Sequence, residues 1–215
     1  EADGQDQQPV RRVAQSRQQL HRARQRVGRR QRQVGAEHHL DAVVEDQDQR
    51  EEFHQTYPLS PTGRISLENL NGGVQIKVWD RAEVQVDAVK RAYRRERLAE
   101  AQIDINATQD NIRIKTEYPD WNQTFRGNGY DNPATVEYTL TVPRKAALES
   151  IELVNGSLDI DGAEGSVKAS SINGRVTATN LLADVKLSTI NGQLKAMFTK
   201  LDEANPIELG SVNGS

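Results

Sequence analysis

The densest group of side chains suited to ligand binding lies between residues 117 and 133, which read EYPDWNQTFRGNGYDNP. Aromatic rings stack on the apolar face of a sugar, while neighbouring amides and carboxylates bond its hydroxyls. The same oxygen atoms are also suited to a calcium ion. The alternative is structural, with the aromatic rings folding back to cover an edge or an end of the protein. The candidate ligand-binding residues of this insertion are Tyr118, Trp121, Phe125 and Tyr130.

A second group with catalytic potential contains the carboxylates Asp159, Asp161 and Glu164. Paired carboxylates hydrolyse glycosidic bonds when they flank a cleft. The next copy of the repeat described below has Thr, Thr and Leu at the equivalent positions, so surface positions and a turn explain these carboxylates more simply. We therefore predict no catalytic residue.

Other sites of known chemistry are not indicated. The chain lacks the GxSxG, P-loop, HExxH and dinucleotide-binding motifs. It has no cysteine, and its four histidines all lie at or before His54. Because zinc sites are built mainly from cysteine and histidine, we expect no metal site and no cofactor. A net charge of -3 predicts no general attraction to nucleic acid.

Residues 1–52 differ in composition from the rest of the chain. They hold eleven Gln, ten Arg and ten acidic residues, and no Ile, Lys, Asn, Tyr, Phe, Trp, Thr or Met. This low-complexity segment cannot build a core, and we expect it to be disordered or irregular. It is either a genuine Arg/Gln-rich linker or an artefact of reading GC-rich DNA in a wrong frame.

Residues 53–215 alternate apolar and polar side chains around Asn-Gly pairs, which is typical of strands. One unit occurs five times, and the two best-matched copies lie 18 residues apart. The copies are ISLENLNGGVQI (65–76), ESIELVNGSLDI (149–160), VKASSINGRVTA (167–178), VKLSTINGQLKA (185–196) and IELGSVNGS (207–215). Four further alternating segments and a short helix or charged excursion at 91–100 lie between the first two copies.

Asn-Gly between alternating strands commonly makes a hairpin, so an antiparallel meander is the simplest interpretation. It would leave the aliphatic residue before each Asn-Gly, such as Ile172 or Ile190, on the face opposite the core. A parallel β-solenoid with about 18 residues per coil removes this conflict, since Asn-Gly then forms a corner and like residues stack. We expect an all-β, right-handed parallel β-solenoid in which Ile172 and Ile190 form a buried column.

The corners of this solenoid should carry a column of asparagines bonded between coils. We expect Gly174 and Gly192 to adopt positive φ there, where glycine is favoured. The predicted corner residues are Asn71, Gly72, Asn155, Gly156, Asn173, Gly174, Asn191, Gly192, Asn213 and Gly214.

The segment REEFHQTYPLSPTGRISLENLNGGVQIKVWDRAEVQVDAVKRA, followed by VEYTLTVP, IELVNGSLDIDG and SINGRVTA, resembles the bacterial putative adhesin domains. The resemblance covers residues 53–215 only. It implies a parallel β-solenoid that is exported or tethered to the envelope and has no enzymatic activity. It carries no catalytic residues to transfer.

This resemblance implies a non-enzymatic cell-envelope or surface module, located in the periplasm or on the cell surface. Its expected partners are a surface glycan or another envelope protein. Two alternatives stay open: a carbohydrate-active enzyme on the same solenoid, and a sensory or regulatory envelope component. We expect the chain to be a fragment without a signal peptide or a membrane-inserting segment, cut off at Ser215 and prone to end-to-end self-association.

Overall fold

The computed structural model describes residues 49–118, 133–182, 184–200 and 206–214. They form fourteen strands in two sheets and one short helix, α1 (Arg95–Glu100). The first sheet contains, in spatial order, β1 (Gln49–Pro58), β4 (Glu83–Ala92), β7 (Thr135–Pro143), β3 (Val74–Trp79), β9 (Leu158–Asp161), β11 (Val176–Leu181) and β13 (Leu194–Phe198). The second contains β14 (Ile207–Asn213), β12 (Val185–Asn191), β10 (Val167–Asn173), β8 (Ala147–Asn155), β2 (Arg64–Asn71), β6 (Asn111–Glu117) and β5 (Gln102–Ala107).

The core is built by the period-two alternation of the strands. In β2, Ile65 and Leu67 are fully buried, while Ser66 between them is partly exposed. The buried aliphatic side chains of both sheets belong to one cluster. Each fully buried Val, Leu or Ile stabilises the folded state by about 1.5–3 kcal/mol, so this cluster holds the two sheets together.

The tandem repeats stack in parallel at the spacing that the sequence predicts. Val167 pairs with Val185, and Val176 pairs with Leu194, both 18 residues later. The first copy also joins the stack, because Asn71 on β2 pairs with Asn155 on β8. The antiparallel hairpin interpretation is therefore wrong for these units.

The expectation of a single parallel solenoid was too simple, because both sheets are mixed. Strand β4 pairs antiparallel with both β1 and β7, and β5 pairs antiparallel with β6. These strands come from the four alternating segments between the first two copies of the unit and from the segment before the first copy. They form an antiparallel end to an otherwise parallel stack, in which β6 pairs parallel with β2 and β7 pairs parallel with β3.

The asparagines of successive copies lie in one column, as the repeat spacing predicts. Each side-chain amide Nδ2 donates to the Oδ1 of the asparagine one copy earlier, and these bonds tie the coils together along the corner. The bonds are Asn155 to Asn71 at 3.0 Å, Asn173 to Asn155 at 2.9 Å, Asn191 to Asn173 at 2.9 Å and Asn213 to Asn191 at 3.0 Å.

The corner glycines are needed for a reason other than the one expected. Positive φ occurs at Gly72 (118°), but not at Gly174 or Gly192, so that prediction was wrong. A Cβ on Gly174 would lie 1.9 Å from the carbonyl oxygen of Gly156, and one on Gly192 would lie 2.0 Å from that of Gly174. Glycine is required because consecutive corners stack backbone on backbone. Gly156 and Gly214 meet the preceding corner in the same way.

The predicted burial of Ile172 and Ile190 was also wrong, since their exposed fractions are 41% and 44%. Alternation continues to the end of β10, so Val167 and Ser171 point inward and Ile172 points outward. The corner begins only after this isoleucine and does not turn it into the core.

The limits of two segments in the structure differ from the limits that the sequence predicts. Strand β1 begins at Gln49, four residues before Phe53, and pairs along its whole length with β4. The segment 91–100 is divided, because Arg91 and Ala92 complete β4 and only Arg95–Glu100 is helical.

Candidate functional site

The outer face of the second sheet carries a row of aliphatic side chains, one on each of five neighbouring parallel strands. Ile172, Ile190 and Val212 are exposed, the last at 73%, while Leu70 and Val154 are half-buried. Parallel strands lie about 4.8 Å apart, so five strands give a stripe about 19 Å long. We call Leu70, Val154, Ile172, Ile190 and Val212 the aliphatic row.

Short side chains beside the aliphatic row leave two adjoining shallow depressions, of about 190 Å³ and about 210 Å³. Glu152 and Ser170 line both of them. Lys168 and Lys186 border the first depression, whereas Val154 and Ile172 border the second. The face therefore offers an apolar strip next to a shallow polar groove, both crossing the strands.

Ion pairs neutralise much of the charge on this face. Arg113 Nη2 lies 2.6 Å from Glu68 Oε1, and Lys186 Nζ lies 2.8 Å from Glu208 Oε2. The hydrogen bond from Lys115 to Glu117 raises the pKa of that ammonium group. Exposed pairs of this kind contribute little stability, but they leave the aliphatic row as the distinctive feature of the surface.

Among the aromatic residues of the predicted ligand-binding site, the structure describes Tyr118. Its ring packs against the hydrophobic core, and its Oη donates to the carbonyl oxygen of Ala134 at 2.8 Å. Burial raises the pKa of this phenol. The other aromatic residues of the predicted site, Trp121, Phe125 and Tyr130, lie outside the described residues.

The carboxylates considered for catalysis are held in structural contacts. Asp161 Oδ1 accepts hydrogen bonds from Thr179 Oγ1 at 2.9 Å and Asn180 Nδ2 at 2.7 Å. Glu164 Oε1 lies 3.8 Å from Arg144 Nε. Asp159 is on β9, between Gln75 of β3 and Thr177 of β11.

Within the described ranges, no three His, Asp or Glu side chains are grouped closely enough to share a metal ion. None of the helical segments described has the length and apolarity required to span a bilayer.

Sequence reasoning recognised the aliphatic residue before each Asn-Gly, such as Ile172 and Ile190, but assigned it to the wrong side. The signal that would have placed it correctly is the unbroken alternation of β10 and β12. Val185 and Leu187 are buried, so parity alone puts Ile190 outside.

No family model matches the chain, and no curated protein matches it. A solved structure of a "putative cell adhesion protein" from Clostridium sporogenes superposes with a TM-score of 0.51 at 10% identity, covering 76% of this chain and 97% of that chain. The chain shares the fold of that protein.

Two other solved structures agree less well. One is a "putative lipid binding protein" from Parabacteroides distasonis, with a TM-score of 0.35 at 11% identity, covering 68% of this chain and 60% of that chain. The other is a "putative adhesin" from Bacteroides fragilis, with a TM-score of 0.24 at 9% identity, covering 75% of this chain and 97% of that chain. These two scores are too low to establish a common fold.

Proposed function

We propose that this chain is a non-enzymatic surface-interaction module of the bacterial envelope, located outside the cytoplasm, and that it binds a partner protein through the aliphatic row. The observation that carries the proposal is the row itself, in which five strands repeat an outward aliphatic residue at one position. Contiguous exposed apolar surface on a folded protein commonly marks an interaction site.

The composition of the face favours a protein partner over a glycan. A sugar-binding site depends on aromatic rings, and the described aromatic of the predicted glycan site, Tyr118, is engaged with the core. Aliphatic side chains instead complement the apolar side chains of another protein, and the bordering Ser and Lys residues supply the polar rim found around such contacts.

The assignment to the envelope and to adhesion rests on fold likeness to the Clostridium sporogenes protein, which supports it only as an analogy. The same proposal includes a right-handed solenoid limited to the tandem units, supported by the parallel 18-residue register of β10 with β12 and of β11 with β13. The non-enzymatic assignment is supported by the structural contacts of Asp161 and Glu164.

The proposal is tested by measuring how much fluorescently labelled chain binds to intact cells of the source organism. The double variant Ile172→Ser/Ile190→Ser removes apolar area worth about 2–3 kcal/mol, so it should bind about 30–150-fold more weakly. Gln75→Ser, an exposed change on the outer face of the first sheet, is the matched control and should bind normally.

Treating the cells with protease before labelling distinguishes the partner classes, and loss of binding is expected. Equal binding by the double variant, or binding that survives protease but is lost after glycan removal, would contradict the proposed site. Release of reducing ends from a panel of polysaccharides would contradict the non-enzymatic assignment.

A further inference from the structure

The Asn-Gly pairs at the corners are the residue pair that undergoes spontaneous deamidation most readily. In this reaction the backbone nitrogen of the glycine attacks Cγ of the preceding asparagine. A new N–Cγ bond forms, the Cγ–Nδ2 bond breaks, and Nδ2 leaves as ammonia with the proton of the glycine N–H. Glycine permits the attack because it has no Cβ and its backbone rotates freely. Water then opens the cyclic succinimide to aspartate or isoaspartate.

Burial does not protect the corner asparagines from this reaction. Asn155, Asn173 and Asn191 are all exposed to solvent. Each has access to the water and the buffer that deamidation needs. Protection must therefore come from the bonds that hold the carboxamide group and the glycine nitrogen in place.

The stack engages every reacting group of Asn173 and Gly174. Asn173 Nδ2 donates to Asn155 Oδ1, and Asn173 Oδ1 accepts from Asn191 Nδ2, both at 2.9 Å. The Gly174 nitrogen donates to Asn191 O at 3.1 Å, so its N–H is directed at the next coil. Asn155 and Gly156 are held by the equivalent bonds. Attack on Cγ requires the corner to break these bonds and to rotate into a five-membered ring.

Close packing of the corners opposes that rotation. A Cβ on Gly174 would lie 1.9 Å from Gly156 O, and one on Gly192 would lie 2.0 Å from Gly174 O. Backbones at this separation leave the corner no room to move while the coils remain stacked. Deamidation therefore requires two neighbouring coils to separate locally, which is an opening that repeat units can undergo one at a time.

We propose that the Asn-Gly corners are deamidation sites that the closed stack keeps unreactive, and that separation of the coils commits them to irreversible modification. An aspartate at a corner cannot donate the hydrogen bond that Nδ2 donated, and its carboxylate faces the Oδ1 acceptor of the coil before it. Isoaspartate also lengthens the main chain, because a side-chain carbon becomes part of it. A modified coil cannot close as before, so the corners limit the lifetime of the stack.

The modification also affects the aliphatic row. Ile172 and Ile190 directly precede two of the corner asparagines. Separated coils no longer hold these two side chains in one line, so loss of stacking removes the row as well. The inference on deamidation does not depend on the row being a binding site.

Site-resolved mass spectrometry tests the inference on the native chain. The chain is incubated in mildly alkaline buffer, folded or in urea, and deamidation of Asn155, Asn173 and Asn191 is followed by peptide mapping. The synthetic peptide SSINGRVTA (170–178) gives the rate of an unstacked Asn-Gly in each solution. In urea the sites should react as fast as the peptide, and in the folded chain at least about tenfold more slowly, because reaction waits for local opening. Equal rates in the folded and unfolded chain would overturn the inference.

A glycine variant tests whether the neighbouring coil provides the protection. Gly192→Ala places a methyl group against Gly174 O and so pushes apart the coils that protect Asn173. Deamidation of Asn173 should accelerate at least about fivefold, with folding checked by circular dichroism. Gly210→Ala, whose Cβ would meet nothing closer than 3.9 Å, is the matched control and should keep the native rate. A folded Gly192→Ala chain with the native rate at Asn173 would contradict protection by stacking.

The product of the reaction is imitated by Asn173→Asp. This variant should have a lower unfolding midpoint, because the bond to Asn155 is lost and a carboxylate faces its Oδ1. Asn111→Asp, at the start of β6 and outside the asparagine column, is the matched control and should unfold near the native midpoint. A native midpoint for Asn173→Asp would show that a modified corner still closes, and would refute the irreversible commitment.

Discussion

Among individual residues, Tyr138 and Thr116 form the clearest polar contact inside the core. Tyr138 is 2% exposed, and its Oη lies 2.8 Å from Thr116 Oγ1, so each hydroxyl satisfies the other. Burial raises the pKa of Tyr138 to about 12. A buried phenol with a raised pKa links folding to pH at the alkaline end.

We expect stability to decline in alkaline solution through this group. The pKa of Tyr138 in the folded state lies above the ordinary tyrosine value of about 10, so the folded state retains a proton that the unfolded state loses. The stabilisation of the folded state by protonated Tyr138 is complete below a pH of about 10 and is lost as the pH rises towards 12. Denaturant unfolding of the native chain should show this decline.

Replacement of the phenol provides the control for that measurement. Tyr138→Phe should lower stability by about 1–3 kcal/mol at neutral pH, because Thr116 is left without its partner. The same variant should lose less stability than the native chain between neutral and alkaline pH. The exposed residue Tyr93 supplies the matched change, Tyr93→Phe, which should leave stability near the native value. Parallel pH curves for the native chain and Tyr138→Phe would refute the linkage.

At the scale of elements, the Asn-Gly corners hold neighbouring coils at one spacing. Each corner combines an asparagine bond with a backbone bond, such as that from Gly174 N to Asn191 O at 3.1 Å. Side-chain hydroxyl groups add a further hydrogen bond at the corners. Ser171 Oγ donates to Gly156 O and Thr189 Oγ1 donates to Gly174 O, both at 3.2 Å. This combination explains why Ser or Thr precedes Asn by two residues in the last three copies, at Ser171, Thr189 and Ser211.

The close corner contact predicts the cost of a single methyl group. Gly174→Ala and Gly192→Ala should each destabilise the protein by about 1–3 kcal/mol, because the methyl group overlaps a backbone oxygen that cannot move without shifting a coil. Gly210→Ala is the matched control, since its Cβ would meet nothing closer than Ser188 Cβ at 3.9 Å. Unfolding midpoints at low protein concentration measure all three. A similar small effect at all three glycines would argue against the stacked corner.

At the scale of the whole molecule, the stack has two unlike ends. One end is completed by antiparallel strands, in which β1 pairs over its full length with β4. At the other end, β13 and β14 are the last of the described strands in their sheets. The pairing of β1 with β4 predicts which part of the chain the folded unit needs at its beginning.

Two deletions test that requirement. Removal of residues 1–47 should leave the melting temperature unchanged, because the composition of this segment predicts no contribution to a core. Removal of residues 1–52 should lower it, because the pairs from Gln49 with Ala92 to Glu52 with Val89 are lost. A marked fall in melting temperature for the first deletion would show that the low-complexity segment contributes to the fold. Equal values for the two deletions would show that the start of β1 contributes nothing.

The strand content, the parallel stacking of the units and the asparagine column can be read from the sequence alone. They follow from local alternation and from the repeated unit, because equivalent residues 18 apart can bond to one another only when the copies stack in register. Alternation also located β4 to β7, although it carried no information about the direction in which they pair.

The antiparallel end and the need for glycine at the corners emerge only in the tertiary structure. Strand direction depends on contacts between segments far apart in sequence, such as β4 with β7. The glycine requirement depends on the distance between two backbones. Such distances exist only after the coils have packed, so a single sequence does not record them.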